Sequence, residues 1–326
     1  MRLSSPARLA AFVAASCSLV LAFACGSTAD PSEFASSGGA SGGTSNGSSS
    51  DGTSNGGFGT TSGASGTSGT SGADSGPCFA PVDMYIVFDK SGSMGEPIGN
   101  GAPGDCNVGD TKGSKWCRGI NALAGYLNSP SAKDQSAALQ FFSGEDNPSC
   151  NAGTPYDRAA TPSTGYTVLP TTAFNAALNG ITPGGATPME AAIRGLTKFT
   201  AANRTPGHVT IGILITDGDP QGCNTDIDDL RDLIDAHYTA TKIRTYVIGM
   251  NGATFSNLEK LASGGGGAPH AATVGALTNA CGNVTAPCHF WNVGDGNPAG
   301  FIQALAAIQE ASDGCKPGGG TVNPPK

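Results

Sequence analysis

Two short apolar runs constrain the fold most strongly, because each is typical of a strand that is buried on both faces. VDMYIVF occupies residues 82–88 and is followed by Asp89, and VTIGILIT occupies residues 209–216 and is followed by Asp217. Continuous apolar runs of this length, bounded by proline or polar turns, favour a parallel sheet that is covered by helices. Each run ends in a carboxylate, so the polar groups come directly after the strands.

Stretches with helical periodicity alternate with further short strands around these two runs. The pattern predicts additional strands over residues 136–143, 164–170, 243–250 and 289–293. It predicts helices over residues 115–128, 171–180, 188–202, 225–240, 255–263 and 298–311. We therefore expect an α/β domain with a doubly wound, mainly parallel central sheet of about six strands, in a Rossmann-like arrangement. Ligands bind beyond the carboxyl ends of the strands in such sheets, which brings Asp89 and Asp217 to one edge.

Residues 1–24 have the features of a secretory signal peptide. Arg2 and Arg8 precede an apolar stretch that is too short and too poorly flanked for a stable membrane span. The sequence LAFAC, which ends at Cys25, resembles a bacterial lipobox and implies a lipid on that cysteine. Ordinary cleavage near Ala24 is the alternative, because Phe23 is bulkier than the lipobox prefers. Among lipoproteins, a residue other than Asp after the cysteine implies the outer membrane of a Gram-negative cell; the cell surface or periplasm is the broader expectation.

The remaining chain divides by composition into three parts. Residues 25–77 combine the lipidated cysteine with a Gly/Ser-rich segment that has almost no large apolar side chain, which predicts a disordered tether. Residues 78–316 are long enough for one well-packed domain, and residues 317–326 form a flexible tail. The net charge of −8, without a basic patch, argues against nucleic acid as a partner. We expect contact with a membrane only through the lipid anchor.

Eight cysteines remain after Cys17 and Cys25 are set aside from the ten in the chain. An even number in an exported chain without a CxxC pair predicts four disulfides rather than a zinc ribbon. Closeness in sequence and the positions at the ends of the domain suggest the pairs Cys106–Cys117, Cys281–Cys288, Cys78–Cys315 and, by remainder, Cys150–Cys223.

Three polar loops carry the chemistry of the predicted sheet edge. The first, DKSGS at residues 89–93, fits the pattern D-x-S-x-S; the second, at 182–190, places a threonine before a helix; the third, at 215–219, follows the central strand. Carboxylate and hydroxyl oxygens of this kind suit a hard divalent cation. The residues that supply them are Asp89, Ser91, Ser93, Thr187 and Asp217.

These loops, in this order and on these elements, resemble the von Willebrand factor A domain family with its metal-ion-dependent adhesion site. The resemblance covers nearly all of residues 78–316. It implies that the five residues of the three loops bind Mg²⁺, or Mn²⁺ or Ca²⁺ in its place. It also implies that an acidic side chain of a protein ligand completes the shell of the cation.

Simpler interpretations exist for each loop taken alone. Asp-x-Ser occurs in ordinary turns and helix caps, and Thr187 before Pro188 is a suitable helix cap. Because members of the family also serve in larger assemblies, a structural cell-envelope component with a merely stabilising metal is the alternative function.

A hydrolase is the less favoured interpretation. The globular region has no GxSxG, HExxH or P-loop pattern, and its four histidines lie outside the three loops. We therefore expect no enzyme activity and a structural role for His208, His237, His270 and His289.

Two long segments depart from the family pattern. Residues 96–113 are expected on the metal face, and residues 264–287 lengthen the approach to the last strand. We expect these segments to set partner specificity. Glu96, Asp105, Asp110 and Asp219 either form an acidic rim around the site or belong to solvated loops.

Overall fold

A computed structural model describes residues 80–99, 106–111, 113–159 and 164–312. The predictions of a signal peptide, of a lipid on Cys25, of a tether and of a C-terminal tail concern residues outside these ranges. The same holds for the proposed pair Cys78–Cys315. The described residues fall within the domain predicted over 78–316.

Six strands form one sheet in the order β3-β2-β1-β4-β5-β6. The strands are β1 Val82–Asp89, β2 Ser136–Phe142, β3 Thr167–Val168, β4 Val209–Thr216, β5 Arg244–Gly249 and β6 Trp291–Asn292. Only the pair β2–β3 is antiparallel; the other four pairs are parallel. Strand β1 lies between β2 and β4, so the two apolar runs noted in the sequence are neighbours at the centre.

Helices cover both faces of the sheet. They are α1 Lys115–Leu127, α2 Asn175–Leu178, α3 Met189–Ala202, α4 Ile227–Thr241, α5 Phe255–Ser263 and α6 Pro298–Ser312. Short 3₁₀ turns occupy Gly92–Gly95, Pro130–Ala132, Gly144–Asp146 and Thr172–Phe174. None of the helices in the described ranges is sufficiently long and apolar to span a membrane.

The side chains of β1 alternate between two separate apolar cores. Met84, Ile86 and Phe88 pack with residues of α1 and α6 on one face. Tyr85 and Val87 pack with residues of α3, α4 and α5 on the other face. A sheet buried on both faces in this way is doubly wound, so the predicted fold class is confirmed.

The two edge strands and one helix are shorter than the sequence predicted. The strand expected over 164–170 is reduced to Thr167–Val168, which pair with Ser136 and Ala137 of β2, and beyond them Pro170 has no N–H with which to continue the ladder. The strand expected over 289–293 is reduced to Trp291–Asn292. The helix expected over 171–180 is a 3₁₀ turn followed by the single turn α2.

The start of α4 also differs from the prediction. The helix was predicted from residue 225, but it begins at Ile227, and Asp226 is its cap and accepts hydrogen bonds from the N–H groups of Asp228 and Asp229. A carboxylate at this position also interacts favourably with the positive end of the helix dipole, which a threonine hydroxyl does not.

Three disulfides lie within the described residues, and they join pairs that were expected from the sequence. Cys106–Cys117 links the long segment after β1 to helix α1. Cys150–Cys223 links the loop after β2 to the loop after β4. Cys281–Cys288 closes a short loop before β6. The long segments 96–113 and 264–287 are thus each held by a covalent bond.

We predict opposite effects for two Gly→Ala substitutions in helix interiors. A Cβ on Gly195 in α3 would lie 2.5 Å from the carbonyl carbon of Tyr156, whereas one on Gly125 in α1 would lie 3.4 Å from Ile302 Cδ1. Gly195→Ala should lower the free energy of unfolding by about 1–3 kcal/mol through overpacking. Gly125→Ala, at an exposed position, should raise it by up to about 1 kcal/mol. Urea denaturation of both variants checks this; a destabilised Gly125→Ala or an unaffected Gly195→Ala would contradict it.

Candidate metal centre

Strand β1 ends in a fully buried carboxylate. Asp89 has no exposed surface. The backbone N–H of Ser91 donates to its Oδ1 at 2.7 Å, and Thr216 Oγ1 donates to its Oδ2 at 2.6 Å. Both carboxylate oxygens are therefore fixed, one by the turn after β1 and one by the end of β4.

The second carboxylate comes from β4 and connects to the serines of the first loop. Asp217 is 1% exposed, and its Oδ1 accepts a hydrogen bond of 2.8 Å from Ser93 Oγ. The hydroxyl oxygens of Ser91 and Ser93 lie 3.1 Å apart. The first and third loops therefore form one continuous set of oxygen atoms at the carboxyl edge of the sheet.

The second loop delivers Thr187 to the same place. The N–H of Gly92 donates to the carbonyl of Gly185 at 3.0 Å, which holds the first two loops together. Thr187 Oγ1 and Ser93 Oγ lie 3.2 Å and 3.8 Å from the point where a Cβ on Gly218 would stand. The structure thus brings together all five residues that were predicted to bind a metal.

The simpler interpretations of the single loops explain only part of these contacts. The hydrogen bond between Ser91 N–H and Asp89 is the one expected for an Asx turn, but Thr216 occupies the other carboxylate oxygen. Thr187 is not the cap of α3, because Pro188 holds that position and no side chain caps the helix there. The hydroxyl of Thr187 is directed to the shared site instead.

Burial changes the acidity of both carboxyl groups. Loss of water and the charge of Asp217 raise the pKa of Asp89, the hydrogen bonds from Thr216 and Ser91 lower it, and the net result is a pKa of about 7. Burial also raises the pKa of Asp217, and the neighbouring Lys115 opposes this shift. Two buried carboxylates close together favour a positive counter-charge. Together with three hydroxyls, they form a donor set that fits a hard divalent cation.

Two residues of the site had no role in the sequence-based prediction. Thr216 holds Asp89, and the ammonium group of Lys115 forms an ion pair with Asp217 Oδ2. The sequence offered a weak signal for each residue. Thr216 ends a strand that was expected at the same sheet edge as Asp89. Lys115 lies in the first turn of a helix, where a positive charge is unfavourable.

The acidic residues that were considered for the rim of the site differ in their contacts. Asp219 accepts hydrogen bonds from the backbone and hydroxyl of Thr254 and holds the start of α5. Asp110 accepts from the N–H of Asn107 in a turn. Asp105 lies outside the described residues. Of the described rim residues, Glu96 reaches the site, through Lys115 at 3.5 Å.

The four histidines form hydrogen bonds away from the metal centre. Their partners are Asp83 for His208, Glu259 for His289, Thr200 for His237 and the carbonyl of Phe290 for His270. Within the described part of the chain, none of these bonds involves one of the five predicted metal ligands. The absence of enzyme activity stays a prediction.

A family comparison supports part of this interpretation. The sequence model of the von Willebrand factor type A domain matches residues 155–283, which is less than half of the chain. The match includes Thr187 and Asp217, and the loop that carries Asp89 precedes it. No curated protein matches the sequence significantly.

The solved structures that match this chain have low sequence identity to it. Proximal thread matrix protein 1 from the mussel byssus is 16% identical, with a TM-score of 0.43, over 71% of this chain and 47% of that chain. A second structure of that protein, described with a zinc-occupied MIDAS motif, is 12% identical over 72% and 49% of the two chains, with a TM-score of 0.40. The SpRpn10 VWA domain is 11% identical over 73% and 99%, with a TM-score of 0.40. The chain spans about half the length of the mussel byssus structures that it matches.

We predict that Thr216→Val destabilises the protein in the presence of a chelator. The substitution removes the donor to the buried Asp89 Oδ2, which should cost about 1–3 kcal/mol of unfolding free energy. Thr210→Val is the matched control on the same strand, because the buried Thr210 hydroxyl has no hydrogen-bond partner among the described residues. The control should be neutral or stabilising. Equal losses in chemical denaturation of both variants would show that Thr216 has no special role.

Proposed function

We propose that residues 78–316 form a domain of the von Willebrand factor A type that binds a divalent cation and, through it, a protein ligand. The observation that carries this proposal is the meeting of three separate loops at one sheet edge. Asp89, Ser91, Ser93, Thr187 and Asp217 would hold the cation. Asp89 and Asp217 are almost completely buried, so their charges favour a cation over water as a partner.

Mg²⁺ is the cation that this donor set favours, with Mn²⁺ or Ca²⁺ as alternatives. Its ligands are carboxylate and hydroxyl oxygens, without a thiolate or imidazole among the five residues. When bound, the cation supplies an electrophilic centre for an additional oxygen ligand. Ser93 is only partly buried and Gly92 is exposed, so this side of the site is open to solvent. A carboxylate from the Asp or Glu of a protein ligand suits that open side.

We also propose that the protein is exported and anchored by a lipid on Cys25 at the outer membrane of a Gram-negative cell. Support comes from the signal-like residues 1–24, the lipobox-like sequence and the Gly/Ser-rich residues that follow. The disulfides of the domain agree with an oxidising compartment. In this arrangement the tether holds the domain away from the membrane, and the protein ligand is met outside the cytoplasm.

We predict that the isolated domain binds Mn²⁺ and that Asp89→Ala strongly weakens this binding. The substitution removes one of two carboxylates, and a metal-ligand loss should weaken affinity by about two orders of magnitude or more. Asp232→Ala, on the exposed surface of α4, is the matched control and should bind as the wild type does. Isothermal titration calorimetry measures all three proteins. Binding to Asp89→Ala with unchanged affinity would rule out the proposed site.

Chelation distinguishes the adhesive function from a structural role of the metal. If the domain captures a protein ligand, removal of the cation should abolish capture while the melting temperature changes little. A large fall in melting temperature with capture unaffected would favour a structural cell-envelope component instead. Turnover of a substrate that is lost in Ser91→Ala or Ser93→Ala would point to a hydrolase, the least favoured alternative.

We predict that Cys25, and not Cys17, carries the lipid. Cells that express the full chain with labelled palmitate should incorporate label into the wild type and into Cys17→Ser, but not into Cys25→Ser. Cys17 is the matched control because it lies in the same apolar stretch and is followed by further apolar residues. Absence of label in the wild type would favour ordinary secretory cleavage near Ala24, and label in Cys25→Ser would show that the lipid is attached to another residue.

A further inference from the structure

The ammonium group of Lys115 lies inside the candidate metal centre. Its side chain is 7% exposed and forms an ion pair with Asp217 Oδ2. Lys115 Nζ also donates to the carbonyl of Asn251 at 3.1 Å and lies 3.5 Å from Glu96 Oε2. Three acceptors from three different segments therefore surround one buried cation.

The position of Lys115 is unfavourable by local rules. It is the first residue of α1, where the helix dipole repels positive charge, and burial of a lysine costs free energy unless it is paired. A lysine at such a position depends on its partners in the site, Asp217 and the carbonyl of Asn251, to offset these costs.

The neighbouring backbone leaves room for the ammonium group. Gly252 has a φ of +120°, and a Cβ there would lie 3.1 Å from Lys115 Nζ and 2.6 Å from the carbonyl oxygen of Asp217. Any side chain at this residue would crowd the ion pair. Lys115, Asp217 and Gly252 therefore fit together as one unit.

The charges of the site follow from these contacts. Asp89 and Asp217 together balance one divalent cation. With Lys115 also present, the loaded site has an excess of one positive charge. Glu96 offsets little of it, because its side chain is 67% exposed and water screens the interaction.

We propose that Lys115 is a built-in competitor of the metal for Asp217, and that it couples metal binding to the arrival of an anionic ligand. This inference rests on the proposed function of the site. In the absence of a ligand, the ammonium group repels the divalent cation and occupies one of the Asp217 oxygens. A carboxylate from the ligand restores neutrality, so the metal and the ligand each bind more tightly in the presence of the other.

Lys115 therefore affects which ligands are recognised. Its charge raises the affinity for an Asp or Glu side chain, whereas the affinity for a neutral ligand does not depend on it. The coupling is reciprocal, because the metal must raise the affinity for the carboxylate by the same factor as the carboxylate raises the affinity for the metal. Lys115 is thus a residue that sets specificity for acidic ligands. It contacts Asp217 without being a ligand of the metal.

Calorimetric titration of Mn²⁺ into the domain, with and without excess acetate as a minimal carboxylate, tests the proposal. Without acetate, Lys115→Met should bind Mn²⁺ at least about tenfold more tightly than the wild type, because the methionine side chain carries no charge that repels the cation. Methionine is chosen because its side chain is similar to that of lysine in length. Acetate should strengthen Mn²⁺ binding to the wild type and have a smaller effect on Lys115→Met. Lys260→Met, which removes a charge from the exposed side of α5, is the control and should behave as the wild type does.

The possible results separate this proposal from the proposed function. Equal, measurable affinities of the wild type and Lys115→Met would overturn the role of Lys115 and leave the metal site intact. Absence of Mn²⁺ binding in every protein would overturn both. If Lys115→Met does not fold, the same titrations are made with Lys115→Arg and the wild type. Acetate should increase the affinity of both proteins for Mn²⁺. An affinity for Mn²⁺ that does not depend on acetate would overturn the coupling.

Discussion

The burial of the Asp89 carboxylate is the constraint on which the rest of the structure depends. It lies at the end of a strand with helices over both faces and has no exposed surface. Water cannot solvate it, so its hydrogen bonds must come from the protein. One donor, Ser91 N–H, is local, whereas the other, Thr216 Oγ1, exists only if β4 lies beside β1 in the correct register. The strand order and the chemistry of the site are therefore one requirement.

The sequence predicted the parts of the molecule that depend on local pattern. Strands β1 and β4 were recognisable because their apolar runs are continuous, and Asp89 and Asp217 followed because carboxyl ends of parallel strands share an edge. The short strands β3 and β6 were overestimated, since their length is set by pairing partners rather than by their own residues. Lys115 was missed for the same reason: its partners, Asp217 and Asn251, come from distant segments.

Glycines and hydroxyl groups are frequent in the loops at the sheet edge, and each has a physical role there. Small residues allow three loops to approach within hydrogen-bond distance, as in the contact between Gly92 and Gly185. Hydroxyl groups supply oxygen atoms without adding negative charge. With two carboxylates and one ammonium group, the edge carries one net negative charge before a metal binds and one net positive charge after a divalent cation binds. A site of this composition favours anions only in its loaded state.

The wide separation of the site residues along the chain has a consequence for the order of events during synthesis. Thr216 and Asp89 are 127 residues apart, and Ser93 and Asp217 are 124 apart. A nascent chain therefore exposes DKSGS on the ribosome long before β4 has been made, and during that time Asp89 is an ordinary hydrated carboxylate. The first half of the chain contains Asp89, Ser91 and Ser93, but Thr187 and the second carboxylate, Asp217, belong to the second half. The complete donor set for a cation therefore exists only after the chain has been made through Asp217 and β4 lies beside β1.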